Sequence, residues 1–304
     1  MQTIQPNQNT GVIIKQPSPE RIGAVVTVPA ILNTNSDWRT YECDGEWQKD
    51  MQIDWDSEAC MTFTATNTLA TYLNWLINTN QILPAQLQFL QENGYIGADG
   101  KVALSPRFNA AQNGTTVNGN DFENVWDEIE ADGVVPDSAW SMPVDAMNAN
   151  PANAWTLYYA TPSEEVIALG KKFLTLFTIN SRWLVSNGDG STQQQYLEWL
   201  QFAPIHLAIQ VCPPWNTTDT IQGCGSGAQH GVQLSFVEVN SSNYILDHYE
   251  PFDKELAGDY SLSYAFQGWV TQIPQPEPEV VPVVESNQTV VEQALPKVQE
   301  AITQ

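Results

Sequence analysis

Three residues of this sequence have the types and the order needed for nucleophilic chemistry on a carbonyl. The stretch DSEACMTFTATNTLATYLNWL (56–76) places Cys60 where apolar spacing begins a helix. A helix N-terminus offers unpaired N–H groups and a partial positive charge, and both lower the pKa of a thiol. A neighbouring imidazole lowers it further and supplies a proton to the leaving group. That imidazole needs an oxygen on its other nitrogen to fix its tautomer. The chain has 3 histidines. His230 follows the glycine-rich GCGSGAQ and opens the alternating run GVQLSFVEV (231–239). Asp247 lies near the end of the returning strand YILDHYE (244–250), so hairpin pairing sets a carboxylate beside His230. His206, inside the apolar IHLAI, reads as a core or neighbour-paired histidine. His248 is expected on the opposite face of the sheet from Asp247. A cysteine before a helix is common, and a His and an Asp on one hairpin also make a simple structural pair. The conjunction of all three, in this chain order, points to catalysis: Cys60 attacks, His230 shuttles the proton and Asp247 holds the imidazole.

The elements that must position these groups follow from periodicity. From Cys60 to about Asn78, apolar residues recur near a 3.6 period. Ser57 is the expected N-cap, with Asp56 and Glu58 suited to the positive end of the dipole. The threonines at 62, 64, 66, 68 and 71 are modest helix formers, so packing must hold this helix. Further helices are expected over 83–96, over 118–135 with a cap at Asn120 or Asp121 and a stop at Gly133, over 163–179 and over 192–203. After Pro204 the pattern turns to strands: 205–211, 231–239, 244–250 and 260–273. Helices first and strands second signal an α+β fold with segregated layers. Residues 1–37 read as an extended N-terminal arm with one strand at 23–31. The globular domain spans 38–273, its helical half about 38–203 and its strand half about 204–273. Residues 274–304, rich in Pro, Glu and Val, read as a flexible tail.

Composition excludes several partners. The 304 residues carry 35 acidic and 11 basic side chains, a formal charge of −24. Nucleic acid and anionic membrane both need a basic footprint, which this balance lacks. No stretch approaches the ~20 apolar residues of a membrane-spanning helix. The N-terminus has neither the basic nor the apolar region of a secretory signal, so no such signal is expected. No CxxC or HxxxH spacing supports a metal site, and no cofactor is implied. Cys212 and Cys224 bracket CPPWNTTDTIQGC and either close a loop or stand as two free thiols.

These segments resemble the papain-like cysteine peptidases. EACMTFTATNTL is similar to that superfamily's nucleophile segment, PIHLAIQV to the strand before its histidine loop, and AQHGVQLSFVEVNSSNYILDHYEPF to its histidine strand and the strand of its third catalytic residue. SPRFNAAQNGTTVNGN (105–120) and LDHYEPF look closest to papain-like proteins of phages and uncultured bacteria. The resemblance covers about residues 38–273. It implies a papain-like fold, in which an N-terminal helical subdomain with a long central helix packs on a C-terminal antiparallel sheet or barrel. It also implies an insertion between the cysteine and the histidine. The implied activity is peptide-bond hydrolysis through an acyl-enzyme, with Cys60, His230 and Asp247 as the triad and a polypeptide as substrate. NGNDFENVWDEIEADGVVPDSAW resembles the substrate-cleft segment, where backbone near Gly119 and Asn120 would pair with an extended peptide. The family's third residue is usually Asn, and the aromatic two places later is usually Trp; here these are Asp247 and Tyr249, the latter placed among the substrate contacts. The position of the family's oxyanion Gln holds Asp54, which would repel a developing oxyanion, so Gln52 or Gln48 is expected to serve.

Two other functions fit the same residues. One is a transglutaminase-like acyl transferase, distinguished by trapping of the acyl group with an amine. The other is a virion, assembly or binding protein that keeps the fold without the catalysis, with the tail docking other phage or assembly partners.

Overall fold

Helix α1 (Cys60–Asn78) runs through the middle of the protein, and every residue from Cys60 to Leu76 is buried. In the computed structural model the described residues are 11–18, 21, 32–44, 55–188 and 191–275. The strand expected at 23–31, the residues Gln48, Gln52 and Asp54, and the tail beyond 275 lie outside them. Burial on all faces explains how a threonine-rich segment stays helical. Thr64, Thr66 and Thr68 turn their hydroxyls back onto the carbonyls of Cys60, Thr62 and Thr64 at 2.9, 3.0 and 2.8 Å. Asn74 accepts from the Val102 backbone N–H at 2.7 Å and donates to the Tyr41 carbonyl at 2.9 Å. Polar groups taken from water in this way are each paired within the core.

Around α1 stand α2 (Pro84–Glu92), α3 (Pro106–Ala110) and α4 (Phe122–Asp132). The Asp121 side chain caps α4 by accepting from Asn124 N–H at 3.0 Å, and Gly133 ends it at φ +75°. Two short helices follow, α5 (Val144–Ala149) and α6 (Ala154–Tyr158). Buried Arg107 ties α6 and the segment before α5 to α3 by donating to the carbonyls of Tyr158, Ser141 and Leu157 at 2.8, 2.7 and 2.6 Å. This helical stretch lies in the part of the chain where the resemblance implied an insertion.

Helix α7 (Glu164–Leu174) is capped by Ser163 and stops before the expected residue 179. The chain turns instead into a strand, β1 (Phe177–Val185), whose first three residues fall within the expected helix and whose remainder was assigned to no element. Helix α8 (Gln193–Trp199) opens with a capping box between Thr192 and Gln195. The remaining strands are β2 (Ile205–Ile209), β3 (His230–Glu238), β4 (Ser242–Leu246), β5 (Asp253–Ala257) and β6 (Tyr264–Gln272). They form one antiparallel sheet in the order β1-β6-β2-β3-β4-β5. The fold is thus α+β, with the helices before the strands except that β1 precedes α8. Strand β5 was not expected, because its sequence DKELA opens with three consecutive charged residues and shows no alternation.

α1 packs on β2, β3 and β6. Close approach is possible at Gly231, where a Cβ would lie 3.0 Å from the Cys60 carbonyl oxygen. His206 takes the core role expected of it: it is fully buried, and its Nδ1 accepts from the Trp126 indole N–H at 3.2 Å.

Candidate active site

Cys60 is the first residue of α1, as expected, but Ser57 is not the cap. Ala59 occupies the N-cap position without a side-chain bond, and Ser57 Oγ accepts from Ala59 N–H at 3.3 Å instead. His230 is the first residue of β3, so one turn of helix meets one strand end. The Gly231 backbone N–H donates to the Cys60 sulfur.

Asp247 follows the last residue of β4. The register pairs Gln233 with Leu246, so the next residue falls beside Val232, two places from His230 on the same face. His230 Nε2 and Asp247 Oδ1 are 2.7 Å apart, with both side chains fully buried. His230 Nδ1 has no hydrogen-bond partner. The nitrogen that faces the carboxylate is therefore spoken for, and the other remains to serve a reacting group.

Asp247 receives three further donors. The His248 backbone N–H reaches Oδ1 at 2.7 Å, the Trp215 indole N–H reaches Oδ2 at 2.9 Å, and the Lys254 ammonium lies 2.9 Å from Oδ2. Burial alone would raise the carboxyl's pKa, but Lys254 and then His230 hold it well below the usual carboxylate range. Lys254 also donates to the carbonyls of Tyr249 and Pro251.

His248 is not across the sheet from Asp247. Strand alternation ends at Leu246, and the chain bends so that His248 Nδ1 sits 3.5 Å from Asp247 Oδ1. Its ring stacks on Phe63 at 4.8 Å and lies 4.8 Å from that of His230. Burial, then the charge of His230, lower its pKa to about 3, with Asp247 opposing. His230, Asp247 and His248 offer ligand atoms within 4.8 Å of one another. The Lys254 ammonium already supplies the positive charge beside Asp247, so this trio is an ion-pair cluster before it is a cation site.

The thiol departs from expectation. Burial pushes the Cys60 pKa well up, the Gly231 N–H opposes this, and Asp56, Glu58 and Asp247 push the same way as burial. The helix start alone does not yield a thiolate here, because the acidic residues read as dipole partners also face the sulfur. Glu58 has its own pKa raised to about 7 by burial and by Asp56. Tyr249, placed among the substrate contacts by resemblance, is buried; its hydroxyl donates to Asp56 and its ring lies 5.4 Å from that of His230.

The backbone of Asn120 pairs with the chain's own arm, whereas the N–H and carbonyl of Gly119 both go to Thr116. Asn120 N–H donates to the Gly11 carbonyl at 2.9 Å, and Ile13 N–H donates to the Asn120 carbonyl at 2.7 Å, in parallel sense. A Cβ on Gly119, which has φ +87°, would lie 1.8 Å from the Gly11 oxygen. One on Gly11, φ +92°, would lie 2.4 Å from the Glu58 oxygen, which places the arm against the loop leading into Cys60. Lys15 then pairs with Asp121, Ser18 N–H donates to Glu123 at 2.8 Å, and Arg21 pairs with Asp127 and Glu130.

Cys212 and Cys224 form a disulfide, and neither Cys43 nor Cys60 takes part in one. Sequence reasoning missed Trp215 and Lys254. The one available signal was that CPPWNTTDTIQGC sets a tryptophan inside a cysteine-bounded loop just before the histidine strand.

No family model matches the sequence, and no curated protein sequence matches it. Solved structures do. The proform of Amb a 11, a cysteine protease and ragweed pollen allergen, aligns with 87% of this chain and 66% of its own at 13% identity, TM-score 0.49. Bromelain from Ananas comosus, bound to an inhibitor, aligns with 77% of this chain and 97% of its own at 12% identity, TM-score 0.47. A digestive procathepsin from the larval midgut of Tenebrio molitor aligns with 88% and 77% at 11% identity, TM-score 0.47. The resemblance to papain-like cysteine proteases is one of fold. Among the described residues, no helix is long and apolar enough to cross a membrane.

Proposed function

We propose that this protein is a papain-like cysteine peptidase that hydrolyses peptide bonds through an acyl-enzyme. The observation that carries the reading is the buried 2.7 Å bond between His230 Nε2 and Asp247 Oδ1, with His230 Nδ1 left without a partner and the next backbone N–H on the Cys60 sulfur. Asp247 fixes the ring so that Nδ1 takes the thiol proton, and the thiolate attacks the scissile carbonyl carbon. The resulting imidazolium gives that proton to the leaving amine. Water then attacks the thioester, with His230 as general base, and releases the acid and Cys60. Thiolate formation depends on His230, because burial and the carboxylates of Asp56, Glu58 and Asp247 oppose it.

Epoxide labelling followed by peptide mapping, with casein digestion in parallel, tests this. Cys60 should label and Cys43 should not, since burial raises the Cys43 thiol to about 12. Cys60→Ser and His230→Ala should each lower casein cleavage by at least ~100-fold. Cys60 labelling no faster than Cys43, together with absent cleavage, would sink the proposal. A second reading, a fold retained for binding, is favoured by the arm on Asn120 and by the raised Cys60 thiol; it takes over in that event.

A further inference from the structure

Trp215 belongs to the 20-residue connection between β2 and β3, residues 210–229. This connection is long, yet it is fixed at several points. The Cys212–Cys224 disulfide closes its middle. Ile221 N–H donates to the Glu255 carbonyl at 2.8 Å, and Ala257 N–H donates to the Ile221 carbonyl at 2.9 Å, which seats the loop on the edge of β5. Gln229 Oε1 accepts from Val211 N–H at 3.1 Å, and Tyr260 donates to the Gln210 carbonyl. Trp215, inside the closed segment, is almost completely buried.

Its indole meets three members of the site. The N–H donates to Asp247 Oδ2 at 2.9 Å. The ring stands edge-on to His230, centroids 5.8 Å apart and planes at 89°. The Lys254 ammonium lies 5.6 Å from the ring centroid. An indole N–H can only donate, and a carboxylate has about four acceptor sites. All are used here: His230 and the His248 N–H on Oδ1, Trp215 and Lys254 on Oδ2. Of the two Oδ2 donors, the ammonium is shared with the carbonyls of Tyr249 and Pro251, whereas the indole N–H goes to Asp247 and is set by a rigid ring on its loop. The indole therefore defines the plane of the carboxylate, and with it the aim of Oδ1 at His230 Nε2. It also covers the His230–Asp247 bond with apolar surface, which strengthens that bond by excluding water.

We propose that the disulfide-closed loop 212–224 makes Trp215 a positioning residue for the reaction, locking the Asp247 carboxylate so that His230 keeps Nδ1 turned to Cys60. This rests on the peptidase reading above. The support comes from a loop before the histidine strand, not from the residue two places after Asp247, where Tyr249 serves Asp56 instead. The loop and the catalytic hydrogen bond are then one unit, and opening the disulfide should act on Asp247 only through Trp215.

The test uses iodoacetamide on the full chain, with the Cys60 alkylation rate followed from about pH 4 to about pH 9. A His-paired cysteine reacts in an acid plateau, as thiolate–imidazolium, where a lone thiol does not. Trp215→Phe keeps an aromatic ring of smaller size and loses the N–H, and should lower the plateau rate roughly tenfold while leaving the rate near pH 9 unchanged. Cys212→Ser/Cys224→Ser should do the same. The triple variant should fall no further than about twofold below either, because both act through one contact. A merely structural loss would lower the rate at every pH and would add. A wild-type plateau that persists within about twofold in Trp215→Phe overturns the inference and leaves the peptidase reading standing. Absence of any plateau in the wild type overturns both. Should the double serine variant fail to fold, the Trp215→Phe profile decides alone.

Discussion

Lys254 Nζ lies 2.9 Å from Asp247 Oδ2, and both side chains are wholly shielded from water. The pair is built across β4 and β5, where Ile245 stands opposite Lys254. Removing one partner of a buried ion pair strands the other charge, which typically costs ~3–5 kcal/mol. Lys254→Met should therefore lower unfolding stability by roughly that amount. Lys254→Met/Asp247→Asn should recover a large part of it, because neither charge is then left alone. Urea denaturation of the three proteins measures this. If the double variant is no more stable than Lys254→Met, the ion pair is not what holds this corner.

Asp56, Glu58 and Asp247 all raise the Cys60 pKa, and of these Glu58 titrates in a useful range. Glu58 has its pKa raised to about 7, and its negative charge raises that of the thiol. Protonating Glu58 removes a charge that opposes the thiolate. Glu58→Gln makes that state permanent, so Cys60 should alkylate faster than wild type above about pH 7, by roughly two- to fivefold. The two proteins should converge near pH 5, where Glu58 is neutral in both. Equal rates across the range would mean that this carboxylate does not reach the sulfur.

The site was legible where chemistry and periodicity coincided. Cys60 opens its helix, and His230 and Asp247 share a hairpin whose register follows from alternation along GVQLSFVEV and YILDHYE. Legibility failed where one run of residues suits two structures. Residues 175–179, TLFTI, continue the apolar spacing of α7 and equally suit the start of β1, and only the pairing with β6 decides. It failed again at Lys254, whose charge reads as a solvated face until Asp247 is placed beside it. His248 shows the reach of the period-2 rule, which ends with the strand. Trp215 sits in a loop without periodicity, and its direction is set by a disulfide and by Ile221 on β5. No pattern within CPPWNTTDTIQGC points to Asp247.

Glu42 should make stability fall on the alkaline side of neutrality. Burial raises its pKa to about 8, Ser235 opposes this and the Asp253 carboxylate adds to it. The unfolded carboxyl releases its proton near 4.5, so between 4.5 and about 8 the folded state holds more protons. Stability contributed by this group is complete below 4.5 and is lost as pH rises, by at most ~1.4 kcal/mol per pH unit. His206 and His248, both lowered to about 3 from 6.5, act in the opposite sense below 6.5. Glu58, raised to about 7, acts in the same sense as Glu42, so the difference between wild type and Glu42→Gln from about pH 7 to about pH 8 isolates Glu42. There, Glu42→Gln should flatten the decline in urea midpoint seen in the wild type. An unaltered slope would place the neutral carboxyl elsewhere.

The arm and a substrate cannot both use the backbone of Asn120. Gly11 and Ile13 take its N–H and its carbonyl, the two groups an extended peptide would need. The hold is a sum of weak parts: two backbone bonds, the half-exposed pair of Lys15 with Asp121, and Arg21 on α4. Exposed ion pairs contribute about 0–1 kcal/mol each and weaken with salt. Ile13→Pro deletes the N–H that reaches Asn120 while leaving the chain extended. It should raise casein cleavage at low substrate by roughly tenfold without changing the rate at saturation, because only competition for the cleft is relieved. Added salt should raise the wild-type rate toward that of the variant. A variant with unchanged rates at every casein concentration would mean that substrate approaches Cys60 along another edge, and that the arm is a strap for α4 alone.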